Sequence, residues 1–211
     1  MIEDQTFNTI LHHMVHNAEE ELHKQNYNSG NQVNRVTKQP QWGFIPEGHS
    51  LPSLINDNAL SNYNTIFVDY GAGIGNKLVE VLNYKFANYV IGFENNRLVY
   101  RKGKEFIKTA QKLILPNYFG VAKLYNIDVF NLTPEKFKRY KKDIVGRAND
   151  FRVIHYFYRP MKEPEGMIKF IEAIDKLVKR GDIVIPVYAD SSEIEHFSNL
   201  VNISGSMYIR Y

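Results

Sequence analysis

The residues best able to do chemistry lie in one run, Asp69-Tyr70-Gly71-Ala72-Gly73-Ile74-Gly75, between an apolar stretch and a helix-forming one. Glycines placed there let a chain turn tightly and let a ligand approach its backbone. A dinucleotide loop follows Gly-x-Gly-x-x-Gly, and here Asn76 stands where the third of those glycines belongs. The spacing therefore disfavours a pyrophosphate cradle. Asp69 at the head of the loop instead suits a nucleoside cofactor with a cationic amino-acid end, because a carboxylate orients the groups that meet an ammonium.

Two more acids follow at the ends of the next two strand-like runs. Glu94 closes Tyr89 to Glu94, where a carboxylate can accept from both hydroxyls of a ribose. Asp128 closes Ala122 to Asp128, where it can accept from an adenine amino group while Ile127 and Val129 pack on the ring. A single acid after a strand is usually a helix cap or a turn former. Three in succession, joined to the glycine run, describe an adenosyl site, and Asn95 belongs with them by position.

Val68-Asp69-Tyr70-Gly71-Ala72-Gly73-Ile74-Gly75, Gly92-Phe93-Glu94 and Asn126-Ile127-Asp128-Val129 resemble the successive cofactor motifs of class I S-adenosylmethionine-dependent methyltransferases. The resemblance covers about Thr65 to Tyr211. It implies a Rossmann-like α/β fold with a seven-stranded, mostly parallel sheet whose last strand, Met207 to Tyr211, is antiparallel. It implies that S-adenosylmethionine is the cofactor, with Gly71 and Gly73 beside its methionine part, Glu94 on the ribose and Asp128 at the adenine. Asp69, Tyr70, Ala72, Asn95, Val129 and Tyr156 complete the expected binding set. A segment similar to Phe44-Ile45-Pro46 lies over the cofactor in such enzymes.

The acceptor is less legible. The family's fourth strand often ends in an Asn/Asp-Pro-Pro-aromatic run in enzymes that methylate base or glutamine nitrogens, whereas this chain has His155-Tyr156-Phe157-Tyr158-Arg159-Pro160. An aromatic strand end either stacks on an amine or walls the pocket. Methyl transfer needs alignment and desolvation more than proton removal. Where a base is used, His155 and Tyr158 are the candidates, against the commoner role of a strand histidine as a core hydrogen-bonding group. A faint similarity to non-SET lysine methyltransferases tilts the expected acceptor towards a nitrogen of a protein side chain. The alternatives are a methyltransferase acting on RNA, DNA or a small molecule, a non-catalytic module that binds nucleic acid, and an NAD-dependent oxidoreductase.

The elements that must hold these residues alternate from Thr65 onward between strand and helix, as a parallel sheet covered on both faces requires. Residues 1–64 form an expected extension and 65–211 the methyltransferase domain. In the extension, Phe7, Ile10, Leu11, Met14, Val15, Ala18 and Leu22 recur at helical spacing, predicting a helix from Glu3 to Lys24. His12, His16 and Glu20 share one face of it, but a solvated polar face explains them better than a metal site. Basic residues crowd Arg97 to Lys112 and Lys136 to Lys142, usually the mark of solvated faces and otherwise a surface for an anionic partner such as nucleic acid. With no cysteine, disulfides, thiolate metal sites and cysteine nucleophiles are excluded. No apolar run reaches the roughly 20 residues of a membrane span, and the start of the chain lacks a signal-peptide pattern. A cytoplasmic location is expected, and the net charge of +3 selects no partner.

Overall fold

The computed structural model describes residues 4–25, 27, 32–33, 40–41, 64–113, 120–146 and 151–211. Residues Phe44-Ile45-Pro46 lie outside them. Seven strands form one sheet: β1 Thr65–Tyr70, β2 Tyr89–Glu94, β3 Val121–Asn126, β4 Arg152–Tyr158, β5 Ile183–Val187, β6 Leu200–Ser204 and β7 Met207–Arg210. Their spatial order is β3-β2-β1-β4-β5-β7-β6. Strands β1 to β5 are parallel, and β7 is antiparallel to both β5 and β6. Six strands thus run one way and the last runs against them. A further antiparallel pair joins Gln32–Val33 to Pro40–Gln41.

Every residue of β1 is buried because helices cover both faces of the sheet. On one face lie α1 (Asp4–Lys24), α2 (Asn76–Asn83) and α3 (Arg97–Leu113), and on the other α4 (Pro134–Val145) and α5 (Pro164–Asp175). Helix α1 buries Phe7, Val15, Ala18 and Leu22 and packs on α3, to which Glu21 is tied by an ion pair with Lys102. Its His12, His13 and His16 are exposed, His16 pairs with Glu20 at 3.4 Å, and no metal-holding cluster occurs among the described residues. None of the described helices is long and apolar enough to cross a membrane.

Several expected boundaries move for identifiable reasons. Strand β3 stops at Asn126, so Asp128 is a cap rather than a strand residue: its carboxylate accepts from the Phe130 amide at 3.1 Å and opens a single 3-10 turn. Helix α5 ends at Asp175, since Lys176 to Asp182 turn back to feed β5. Strand β5 ends at Val187 because Tyr188 takes a left-handed φ of 57°. A four-residue helix that the sequence reading passed over, α6 (Ser191–Ile194), follows and is held by reciprocal Asp190 and Glu193 capping bonds.

Candidate functional site

Strand order reverses between β1 and β4, since the chain steps outward to β2 and β3 on one side and to β5 on the other. A crevice at the carboxyl ends of the strands is the general ligand position in such sheets. The glycine run sits there. Gly71, Gly73 and Gly75 all have positive φ, at 87°, 56° and 82°, which side-chain-bearing residues rarely adopt. Gly75 then caps α2.

The loop amides are tied to the end of β2 and to the loop itself. The Gly71 and Ala72 amides donate to the Phe93 carbonyl at 2.9 and 3.0 Å, and the Gly75 amide donates to the Ala72 carbonyl at 2.8 Å. The Gly73 amide donates to Glu94 Oε2 at 3.0 Å. Four of the five amides from Gly71 to Gly75 are therefore engaged within the protein. A pyrophosphate is held by such amides, so their engagement disfavours a dinucleotide for a reason beyond glycine spacing. Close packing fixes the loop as well. A Cβ on Gly92 would lie 2.7 Å from Ala72 Cβ and 2.6 Å from Leu124 Cδ1, and one on Gly103 would lie 3.0 Å from the Ile74 backbone.

Glu94 is the hub of this arrangement. Its Oε1 accepts the Asn96 amide at 2.7 Å while its Oε2 takes Gly73, and its carbonyl accepts from Asn126 Nδ2 at 2.8 Å and from the Ile127 amide at 3.1 Å. Burial raises the carboxyl to about 7; the Asn96 and Gly73 amides oppose the rise, and the nearby negative charge of Asp128 adds to it. Asn95 Nδ2 reaches Asp128 Oδ2 at 3.5 Å. The expected residues Asp69 to Gly73, Glu94, Asn95, Asp128 and Val129 thus gather at three neighbouring strand ends. Asp69 is itself buried at the end of β1.

Two more side chains complete the frame. Asn126 ties β3 to β2, and Asn96 caps α3 by accepting from the Leu98 and Val99 amides at 2.9 and 3.3 Å. The cap was detectable, since an asparagine directly before a helical run is a start signal. Asn126 offered no signal of its own.

Strand β4 requires a correction. His155 is fully buried with both ring nitrogens engaged: Nδ1 faces the Tyr70 hydroxyl at 2.7 Å and Nε2 faces Asp182 Oδ2 at 3.2 Å. The ionised Asp182 can only accept, so Nε2 carries the proton and Nδ1 accepts from Tyr70. Burial outweighs the Asp182 bond and lowers the His155 pKa, keeping the ring neutral. It is a core hydrogen-bonding group and cannot reach an acceptor as a base. Tyr70 turns its ring to the same side, stacked on His155 at 5.8 Å, so its side chain belongs to this network and only its backbone to the glycine loop.

Tyr156 is also buried, paired in register with Asp69 and packed on Phe67 at 5.4 Å. Tyr158 is half-buried at the end of β4, edge-on to the exposed Tyr188 at 5.1 Å. Next to it, Arg159 forms a two-pronged pair with buried Glu193 at 2.9 and 3.0 Å and donates to the Tyr188 carbonyl at 3.0 Å. That anchor holds the left-handed turn after β5.

No protein-family model matches the sequence, and neither does any curated protein. Among solved structures, the StiE O-MT domain is 15% identical over 64% of this chain and 40% of its own, with a TM-score of 0.41. PKMT2 from Rickettsia typhi is 18% identical over 67% of this chain and 26% of its own, at 0.43. A conserved hypothetical protein of Streptococcus pyogenes is 16% identical over 76% of this chain and 94% of its own, also at 0.43. The chain spans less than half the length of the first two. Overlaps this loose carry no argument, and the fold rests on the sheet itself. Its parallel core, its reversal beside β1 and its single antiparallel strand are those of the class I methyltransferase fold.

Proposed function

We propose that the chain is an S-adenosylmethionine-dependent methyltransferase, with the cofactor held at the ends of β1, β2 and β3 and the acceptor met at the ends of β4 and β5. The observation that carries this reading is Glu94. A buried carboxyl raised to about 7 has lost water without gaining enough donors. The Gly73 and Asn96 amides, one on each oxygen, and the Asn95 amide occupy part of its roughly four acceptor positions, and a ribose hydroxyl fits what remains.

In this reading Glu94 orients the ribose, Asp128 and Asn95 meet the adenine edge, and Ile127 and Val129 pack on its ring. Gly71 and Gly73 allow the methionine part to approach the backbone, and Asp69 orients its ammonium. When bound, the cofactor supplies a methyl group activated by a sulfonium. Tyr158 and Tyr188 wall the acceptor side, where they exclude water and stack on an incoming group. Tyr158 takes the role of base where a proton must leave, because His155 is sealed in the core. The motif resemblance favours a nitrogen of a protein side chain as acceptor.

Calorimetric titration with S-adenosylmethionine, S-adenosylhomocysteine and NAD tests the cofactor. Binding of both sulfur compounds and not of NAD is expected, and failure to bind either sulfur compound sinks the proposal. Transfer of a radiolabelled methyl group into lysate, followed by protease or nuclease, tests the acceptor. Label released by protease supports a protein side chain, and label released by nuclease overturns it.

A further inference from the structure

Helix α3 carries its charge on one side. Arg97, Arg101, Lys104, Lys108 and Lys112 are all exposed and follow one another at intervals of three or four residues, the spacing of a single helical face. The opposite side, with Val99, Gly103, Phe106, Ile107 and Ala110, is buried. None of the five cations forms an ion pair among the described residues, whereas Lys102, off the stripe, takes both Glu21 and Glu105. Helix α4 lies on the other face of the sheet beside the same edge strand, β3, and adds exposed Lys136, Lys138, Arg139 and Lys142. The whole chain has a net charge of only +3, so its positive field is concentrated along this edge.

The composition of the stripe selects the partner. Protein interfaces bury an apolar centre depleted in lysine, and a helix lying on a membrane needs apolar anchors. Leu113, at the far end, is the only exposed large hydrophobic residue of α3. A phosphodiester chain needs cations at regular intervals and nothing apolar. We infer that α3, with α4 across the edge, binds the phosphate backbone of a nucleic acid.

The stripe runs about 22 Å at 1.5 Å per residue. It begins at Arg97, directly after the Asn96 cap whose amide is bonded to Glu94. A strand bound along α3 therefore leads to the crevice. This binding needs no methyl transfer, so it stands or falls apart from the enzymatic reading.

The test is fluorescence anisotropy of the full chain with labelled single-stranded RNA and duplex DNA of roughly 20 nucleotides, between about 50 and 200 mM salt. Neutralising five phosphates on a single strand predicts a log–log salt slope of about −3.5. The triple variant Arg101→Glu/Lys104→Glu/Lys108→Glu should weaken binding more than tenfold. Lys176→Glu/Arg180→Glu, on the turn after α5, should leave it within about twofold, as expected of charges beyond a Debye length from the bound strand. Circular dichroism and S-adenosylmethionine titration of each variant separate a lost surface from a lost fold. No binding to RNA or DNA at the lower salt overturns the inference. Equal losses in the two variants, equal competition by polyglutamate, or binding to anionic phospholipid vesicles in place of nucleic acid also overturn it.

Discussion

Glu94 and Asp182 are both buried carboxyls at sheet ends, and each accepts backbone amides, yet they titrate in opposite directions. Burial pushes both up. At Asp182 the hydrogen bond from the His155 ring, together with the Lys179 and Val153 amides, outweighs burial and brings the group below its ordinary value. At Glu94 no cation is among the causes of the shift, and Asp128 adds repulsion, so the carboxyl stays at about 7. The difference separates a structural acid from one suited to a ligand. Asp182 has a ring partner as well as amides, while Glu94 has amides alone to offset its burial, as suits the proposed ribose contact.

The strongest way to break that comparison is Asp182→Ala. It leaves His155 and two amides without their acceptor and should cost about 3 kcal/mol of folding stability. Urea unfolding checks this, and a loss below about 1 kcal/mol would show that Asp182 is dispensable to the core. Glu94→Ala also frees the Gly73 and Asn96 amides, so it should cost about 1 kcal/mol of stability and weaken S-adenosylmethionine binding by roughly 1–3 kcal/mol. Unchanged affinity in the titration would remove Glu94 from the site. Tyr70→Phe deletes one buried hydroxyl bond to His155 and should cost about 1 kcal/mol. The effect should appear as stability rather than as a changed maximal rate.

The smallest effect is a slope with pH. Between 4.5 and about 7 the folded chain holds a proton on Glu94 that the unfolded chain has released, so this group's contribution falls as pH rises through that window. Asp182 has the opposite sign: its contribution is full above 3.8 and is lost as pH falls below it. Glu94→Gln should flatten the first slope and leave the second. Cofactor affinity should rise with pH through about 7, because the ionised carboxylate is the better acceptor for a ribose hydroxyl. Isothermal titrations at pH 6 and pH 8 that agree within error would contradict a titrating Glu94.

Local signals in the sequence carried most of the fold. The apolar run from Thr65 to Asp69, the glycine loop and the proline-led start of α4 are signals that act over a few residues, and β1, the loop and α4 begin where they put them. The order of acids after successive strands was likewise legible, because a parallel sheet brings consecutive strand ends to one edge. What depended on contacts distant in sequence was not legible. His155 stood as a candidate base against the commoner core role, and only the register of β4 with β1 and the turn before β5 decided between them by sealing it between Tyr70 and Asp182.

By itself, then, the sequence determined the sheet, the glycine loop and the acids at its rim, since each follows from residue type and short spacing. Tertiary structure alone decided how those acids behave. Glu94 and Asp182 are both simply acids beside a turn or strand end in the sequence, and their opposite titration comes from neighbours far along the chain. The same holds for the loop: its glycine spacing disfavoured a dinucleotide, and the fold supplied the physical reason by engaging four of its five amides with Phe93, Ala72 and Glu94.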